Sequence, residues 1–255
     1  MSTALVTGPT SGIGRAFARR LAADGYDLVL VSRDADRLSE LAAELGNVGV
    51  ATEVLVADLS DDEQLLVVER RLADPDRPIE VLVNNAGFGV SQRFVGGDID
   101  REQVLLDVMV KAVMRLTHAA APGMRARGGG LIVNVASMAG LLPFGTYSAA
   151  KSWVIFFTQG LATELAGSGV RAAAVCPGFV RTEFHARAGV DMSRAPDRIW
   201  LTADEVVDQA MADVSRGRVL SIAGTRYRVL AAVVHLIPRD AVRRLERFRR
   251  GRLGR

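Results

Sequence analysis

The sequence predicts an α/β protein built on one parallel sheet of seven strands, because two kinds of segment alternate along the chain. Short apolar runs rich in β-branched residues are followed by longer segments with apolar residues at i, i+3, i+4 and i+7. Strands that alternate with helices in this way pair in parallel through crossover connections. The expected strands are residues 3–7, 27–32, 51–56, 79–84, 130–136, 171–176 and 218–222.

Seven strands of one sheet make one domain, which we predict at residues 1–225. A chain of 255 residues with a hydrophobic fraction of 49% is large enough to bury a full core. Gly25 and Gly46 indicate where the first two helices end. The longest irregular segment, residues 182–201, has the length of a lid or a binding loop.

Positive charge is concentrated at the end of the chain. Residues 226–255 hold ten arginines against Asp240 and Glu246, although the formal net charge of the whole chain is only +3. We predict a short basic helical extension whose apolar stripe is Leu236, Ile237, Val242, Leu245 and Phe248. It would lie on an anionic membrane, guide an anionic substrate such as an acyl-CoA, or remain a solvated helix. Nucleic-acid binding is not expected, because Tyr227 and Phe248 are the only aromatic rings of the extension.

Cysteine usage and hydropathy indicate in which cellular compartment the protein is expected. Cys176 is the only cysteine, so no internal disulfide forms and a reducing compartment is favoured. A strand-like run from Thr3 leaves no room for a signal peptide, and the apolar run 229–234 is too short to span a membrane. We expect a cytoplasmic protein, with a peripheral position at the inner face of the membrane as the alternative that the basic extension raises.

A glycine-rich turn follows the first predicted strand and leads directly into a helix. It reads Thr7-Gly8-Pro9-Thr10-Ser11-Gly12-Ile13-Gly14. Glycines let the backbone approach a pyrophosphate, and the free N–H groups of a helix start attract its charge. We therefore predict a dinucleotide site formed by Gly8, Thr10, Ser11, Gly12, Ile13 and Gly14. The alternative is a tight turn without a ligand.

Arg33 follows the second predicted strand, at the position where an acidic residue would bind the ribose hydroxyls of NAD. A guanidinium instead matches the geometry of a 2′-phosphate, so the sequence favours NADP(H) over NAD(H). The alternative is a surface arginine without a ligand, in a chain with thirty arginines.

Lys151 is one of only two lysines and follows Tyr147 by four residues at the start of a helical pattern, so both lie on one helix face. An ammonium about 5 Å from a phenol favours the phenolate by roughly 3 kcal/mol, or about two pKa units. We therefore predict that Lys151 lowers the pKa of Tyr147 and makes it an acid/base. Ser137, at the end of a buried strand, is placed to hold a carbonyl oxygen nearby; taken alone it fits a helix cap or turn residue better, and its neighbours favour the functional role.

Several motifs follow one another in a fixed order between about residues 3 and 222. They are TGPTSGIG at 7–14, ADL at 57–59, NNAG at 84–87, Ser137, Tyr147-x-x-x-Lys151, and Pro177-Gly178 with Thr182. In this combination the sequence resembles the short-chain dehydrogenase/reductase family in its single-domain form. The resemblance implies a Rossmann-like doubly wound sheet and an NAD(P)(H)-dependent oxidoreductase that interconverts alcohols and carbonyl compounds.

The resemblance also assigns roles to residues. Tyr147 is the general acid/base, Lys151 lowers its pKa and binds the nicotinamide ribose, and Ser137 orients the substrate carbonyl. Asp58 would bind the adenine, and the Val180 amide the nicotinamide carboxamide. The full cofactor set is then Gly8, Thr10, Ser11, Gly12, Ile13, Gly14, Arg33, Asp58, Leu59, Asn85, Gly87, Tyr147, Lys151, Val180 and Thr182.

Two features depart from the family pattern. Met109 stands where members usually carry an asparagine whose backbone carbonyl holds a relay water. Ser137 and Tyr147 are ten residues apart, fewer than in many members, so one wall of the pocket should be reshaped. The predicted apolar lining of that pocket is Phe88, Met138, Leu141, Phe144, Phe179 and Phe184.

These observations predict an NADPH-dependent reductase of an apolar ketone or aldehyde, with a long-chain 3-oxoacyl compound or another lipid as the substrate class. The alternative is a dinucleotide-binding regulatory protein without turnover, which Met109 raises and the intact Ser137, Tyr147 and Lys151 oppose. We expect a homo-oligomer, either a dimer or a tetramer. No metal ligand set and no nucleic-acid partner are expected.

Overall fold

The computed structural model describes residues 2–192 and 195–236, with seven parallel strands in one sheet. Their order is β3-β2-β1-β4-β5-β6-β7. The strands are β1 Thr3–Thr7, β2 Asp27–Ser32, β3 Thr52–Val56, β4 Val81–Asn84, β5 Gly130–Val135, β6 Val170–Val175 and β7 Leu220–Ser221. All seven predicted strands are confirmed, and β7 is a short edge strand that pairs with β6.

Helices connect these strands. They are α1 Gly12–Ala23, α2 Ala35–Gly46, α3 Asp62–Ala73, α4 Ile99–Leu106, α5 Ala112–Ala126, α6 Thr146–Glu164, α7 Phe184–Arg187, α8 Ala203–Ser215 and α9 Thr225–Leu236. A π-helical turn, Asp107–Lys111, joins α4 to α5, and 3-10 turns cover Met138–Leu141 and Asp197–Ile199.

Helices cover both faces of the sheet because the strands are apolar on both sides. Ala4 and Val6 of β1 belong to the core formed with α1, α2, α8 and α9. Leu5, which lies between them, belongs to the core formed with α3, α5 and the end of α6. The doubly wound α/β architecture is therefore confirmed.

Some helices begin with a side chain that caps their first backbone N–H groups, and α1 does not. Asp34, Asp61, Asp98 and Thr202 accept backbone N–H groups at the starts of α2, α3, α4 and α8. At α1 the Ser11 side chain makes no such bond, and the first turn contains no acidic residue. The first N–H groups of α1 are therefore not used by a capping side chain.

Buried amides connect the two central strands to neighbouring helices. Asn84 of β4 donates to Asn134 of β5 at 2.9 Å and to Thr117 of α5 at 3.2 Å. Asn134 donates in turn to Thr158 of α6 at 2.9 Å. All four side chains are buried, so these bonds fix β4 and β5 against the helices that carry site residues.

The predicted boundary at residue 225 coincides with the start of α9. Tyr227 and Ala231 are buried in the same core as α1, α2 and α8, so α9 packs onto the domain. The predicted apolar stripe from Ile237 onward lies outside the described residues, and a separate extension there stays a prediction. Within residues 2–192 and 195–236, no helix has the length and hydropathy needed to cross a membrane.

The contact between Gly178 and α9 gives a stability prediction. A Cβ on Gly178 would lie 2.1 Å from Cζ of the Tyr227 ring, so Gly178→Ala should lower the free energy of unfolding by about 1–3 kcal/mol. Gly160→Ala is the matched control, because a Cβ there meets nothing within 4 Å inside α6 and should stabilise by about 0.5–1 kcal/mol. Urea unfolding measures both. Equal transition midpoints for the two variants would contradict this packing.

Candidate active site

A cleft of about 690 Å³ opens at the carboxyl ends of the strands. It includes the junction between β1 and β4, where the strand order reverses and open α/β sheets bind ligands. Of the predicted cofactor and catalytic residues, it is lined by Gly8, Thr10, Ser11, Gly12, Ile13, Arg33, Asp58, Leu59, Asn85, Gly87, Ser137, Tyr147, Lys151, Val180 and Thr182. Of the predicted apolar residues, it is lined by Phe88, Met138, Phe144, Phe179 and Phe184.

Two predicted residues do not line the cleft. Gly14 supports it from below, because a Cβ there would lie 2.2 Å from the Gly8 carbonyl oxygen and 2.3 Å from the Asn85 amide nitrogen. Leu141 is not among the residues that line the cleft. It is half-buried on a 3-10 turn and packs against the core, and its neighbour Leu142 lines the cleft.

The glycine-rich turn is shaped for close approach of a ligand to the backbone. Gly8 and Gly12 adopt positive φ angles of 63° and 54°. Asn85 donates its side-chain amide to the carbonyl oxygens of Thr7 and Gly8, both at 3.0 Å. Thr182 closes over the turn, since its Cγ2 would lie 2.8 Å from a Cβ on Gly12. Together with the uncapped start of α1, these contacts give the turn a shape and free N–H groups that suit a phosphate group.

Arg33 and Asp58 border the cleft beside the ends of β2 and β3. The Arg33 guanidinium lies 3.4 Å from the Asp58 carboxylate and is 68% exposed, so it remains open to a further anion. Burial opposes ionisation of Asp58, but hydrogen bonds from Ser60 and the charge of Arg33 outweigh it and lower the pKa of the carboxyl. Asp58 is thus an ionised acceptor paired with a guanidinium that is still exposed.

Ser137, Tyr147 and Lys151 meet at the centre of the cleft. Ser137 follows β5 and caps the 3-10 turn by accepting the Ala139 N–H at 3.1 Å. Tyr147, in the first turn of α6, lies close enough for the Ser137 hydroxyl to act on the pKa of its phenol. One turn further along, Lys151 is buried and donates from Nζ to the Val135 carbonyl oxygen at 2.7 Å. The three predicted catalytic side chains are therefore adjacent.

Burial dominates the acid–base properties of this group. It raises the pKa of Tyr147 to about 12, although the hydrogen bond with Ser137 acts in the opposite direction. It also lowers the pKa of Lys151 to about 8, against a smaller opposing effect of Cys176. In the chain itself the Tyr147 pKa is therefore raised and not lowered, because loss of hydration outweighs the effect of Ser137; the action of Lys151 on Tyr147 stays a prediction.

The two lysines have different surroundings. Lys151 is only 5% exposed, within the cleft. Lys111, at the end of the π-helical turn, bonds the carboxylates of Asp62 at 2.8 Å and Asp107 at 3.0 Å on the surface. These carboxylates raise the pKa of Lys111 through hydrogen bonds that outweigh its partial burial. Only one lysine is therefore available to the chemistry of the cleft.

Met109 lies in the π-helical turn and is fully buried beside the catalytic group. A Cβ on Gly87 would lie 3.2 Å from Met109 Cε and 3.7 Å from Lys151 Nζ, so both side chains border this glycine. The Ala112 N–H bonds to the Asp107 carbonyl oxygen, five residues earlier, which breaks the regular α-helical pattern at this point.

Tyr227 is a cleft residue that the sequence analysis missed. Its ring packs on Gly178, its hydroxyl accepts the Phe179 N–H at 3.0 Å, and it donates to the Ile199 carbonyl oxygen at 2.5 Å. It thus fixes the segment after β6 to the 3-10 turn before α8. Other cleft residues that were not predicted include Arg101, Leu142, His185, Arg187, Leu230 and Val234. The apolar run 229–234 is the one sequence feature that indicates Leu230 and Val234.

Comparison with known proteins agrees with this geometry. The family model described as short chain dehydrogenase matches residues 2–192. Sulfoacetaldehyde reductase 2 of Chromohalobacter salexigens is 38% identical over 215 residues, which cover 80% of this chain and 84% of that protein. The very-long-chain 3-oxoacyl-CoA reductase of Anas platyrhynchos is 35% identical over 189 residues, which cover 71% of this chain and 60% of that protein.

A solved structure shares the architecture as well. The short-chain dehydrogenase from Sphingobium yanoikuyae in complex with NADPH superposes with a TM-score of 0.84 at 39% identity, covering 91% of this chain and 93% of that one. The motifs, the sheet order and the family match all lead to one assignment. This chain belongs to the short-chain dehydrogenase family and is an NAD(P)-dependent oxidoreductase.

Proposed function

We propose that this enzyme uses NADPH to reduce an apolar ketone or aldehyde, with long-chain 3-oxoacyl compounds and related lipids as the substrate class. One observation carries the proposal. A single cleft runs from the phosphate-binding turn, past Tyr147 and its Ser137 partner, to a wall that includes Phe88, Phe144 and Phe184. Such a wall favours an apolar substrate next to a proton donor.

The residues of the cleft fit an adenine dinucleotide phosphate. The uncapped start of α1 and the turn around Gly8 would hold the pyrophosphate, and the exposed guanidinium of Arg33 would bind the 2′-phosphate. Asp58 would accept from the adenine, and Val180 would donate its N–H to the nicotinamide carboxamide. When bound, the nicotinamide supplies the hydride.

Tyr147 is the group that would protonate the substrate oxygen. With a pKa of about 12 it retains its proton at neutral pH, so it acts as a donor to the oxygen that becomes an alkoxide. Ser137 would hold that oxygen through its hydroxyl. Lys151, with a pKa of about 8, is mostly protonated at pH 7 and would stabilise the phenolate left behind. Hydride addition to carbon and proton transfer to oxygen together yield the alcohol.

Met109 is compatible with turnover. The role of the usual asparagine, as the resemblance implies it, belongs to a backbone carbonyl, and Met109 retains that group. A π-helical turn also leaves carbonyl groups outside the regular α-helical pattern, and Met109 lies in the middle of such a turn. Family membership and the adjacent Ser137, Tyr147 and Lys151 favour an active enzyme over the regulatory alternative.

Two relatives suggest different substrates for this chain. Sulfoacetaldehyde reductase 2 points to a small anionic aldehyde, and the 3-oxoacyl-CoA reductase to a long acyl chain. The aromatic wall favours the acyl chain. A medium-chain 3-oxoacyl thioester should therefore be reduced with a higher kcat/KM than sulfoacetaldehyde, as followed by NADPH absorbance. We also propose that the substrate is presented as an acyl-CoA or on a carrier. The same proposal includes a cytoplasmic site of action and a homo-oligomeric state.

The Tyr147→Phe variant tests the acid/base. Loss of the hydroxyl should lower kcat by about 10²–10⁴-fold, while the Kd for NADPH stays within about twofold, because the ring and the fold remain. Tyr26→Phe removes a hydroxyl from a tyrosine packed against the core and is the matched control. Undiminished turnover by Tyr147→Phe would assign the proton transfer to another group.

Arg33→Ala tests the cofactor preference. Removing the guanidinium should weaken NADPH binding by about 2 kcal/mol, or roughly 30-fold, and leave NADH binding nearly unchanged. Arg125→Ala, an exposed arginine at the end of α5, serves as the control. Fluorescence titration measures both dissociation constants. Equal affinities of the unsubstituted protein for NADH and NADPH would contradict the assignment of Arg33.

Lys151 gives a prediction on pH and stability. Its folded pKa of about 8 lies below the ordinary 10.5, so the unfolded chain binds more protons between these values and the free energy of unfolding rises with pH there. The protein should therefore gain on the order of 1–2 kcal/mol relative to Lys151→Met between about pH 7.5 and 9.5 in urea unfolding. A constant difference between the two proteins across this window would show that Lys151 titrates normally.

A further inference from the structure

Exposed apolar side chains lie at the cleft and on α9, the helix that contributes Leu230 and Val234 to its lining. Phe144 and Phe179 are each 39% exposed, and Val229, Leu230 and Val233 of α9 are 59%, 46% and 44% exposed. We name these five residues the apolar collar. Phe144, Phe179 and Leu230 also line the cleft, so the exposed apolar surface is continuous with the pocket interior. Exposed apolar surface that continues into a pocket is a feature of interaction sites.

The orientation of α9 explains how the apolar collar is displayed. Tyr227 and Ala231, four residues apart, are buried against the domain, and the helix is fixed there by the hydroxyl of Tyr227. Val229 and Val233, also four residues apart, are exposed on the outside. The packing of the domain leaves this second face of α9 uncovered.

The charge next to the apolar collar is positive. Arg226 and Arg228 are exposed in the first turn of α9. The chain then continues from α9 into residues 237–255, which hold eight arginines against Asp240 and Glu246. Apolar side chains flanked by arginines match an anionic lipid interface, which offers both headgroup charge and acyl chains.

We propose that the apolar collar docks on an anionic lipid bilayer, so that the mouth of the cleft opens onto the acyl chains. A second copy of this chain is the less favourable occupant, because pairing through α9 would bring the exposed Arg226 and Arg228 of the two copies together. The use of a bilayer lipid as substrate rests on the proposed function, whereas docking itself does not.

Site-specific fluorescence tests the contact. Cys176, the only cysteine, is fully buried, so a polarity-sensitive thiol dye can be directed to Val229→Cys in the full-length protein. Val48→Cys is the matched control, because Val48 is 61% exposed, like Val229, and lies in the turn before β3, at the opposite edge of the sheet. Vesicles of phosphatidylcholine with about one third phosphatidylglycerol should raise the emission at 229 several-fold and leave position 48 unchanged. If the protein sediments with the vesicles but the dye emission at position 229 does not change, the proposal is overturned.

Substitution tests whether the apolar collar supplies the affinity. Val229→Asp combined with Val233→Asp should weaken vesicle binding about tenfold or more, and Val48→Asp should leave it unchanged. Neither valine lines the cleft, so reduction of a water-soluble ketone should continue in both variants. The proposal would be overturned in favour of a second copy by two results together. The unsubstituted protein would not bind vesicles, and it would self-associate in a way that the double substitution abolishes. Vesicle binding without reduction of any carbonyl compound would support docking and contradict the proposed function instead.

Discussion

The attachment of the end of β4 to the end of β1 is the constraint on which the active site depends. Asn85 donates to two carbonyl oxygens of the glycine-rich turn, and the backbone N–H groups of Asn85 and Ala86 both donate to the Thr7 hydroxyl at 3.0 Å. These bonds hold the turn against Gly87, beside Met109 and Lys151. The glycine-rich turn and the group of Ser137, Tyr147 and Lys151 therefore keep one fixed spacing, as the proposed hydride transfer over a short distance requires.

Burial connects the shape of the cleft to its chemistry. The side chains that close its inner end remove water from Tyr147, Lys151 and Cys176, which raises the pKa of the phenol and the thiol and lowers that of the amine. The Val135 carbonyl oxygen replaces part of the hydration of Lys151. In such surroundings a charge that develops on a substrate oxygen interacts strongly with the few groups that face it.

Much of this arrangement is predictable from sequence, because the strand ends of a parallel sheet converge and the motifs follow the strands. The residues that were missed or misplaced depend on tertiary contacts. Tyr227 reaches Phe179 from 48 residues away, and it lies next to Arg226 and Arg228, at the start of the arginine-rich end of the chain. Leu141 and Leu142 are identical neighbours in the sequence. Leu141 is the last residue of the 3-10 turn and Leu142 follows it, so only the local backbone decides which side chain lines the cleft. The direction of the Tyr147 pKa shift depends on how deeply the side chain is buried, and the spacing of Tyr147 and Lys151 in the sequence does not indicate this.

The scarcity of lysine has a consequence for an enzyme that handles carbonyl compounds. Simple aldehydes condense with exposed primary amines to form imines, whereas guanidinium groups resist this reaction. The protein carries thirty arginines and two lysines, of which Lys151 is buried and Lys111 is held between two carboxylates. Its positive charge therefore comes almost without nucleophilic amines, so its surface would resist imine formation with any aldehyde among the proposed carbonyl substrates.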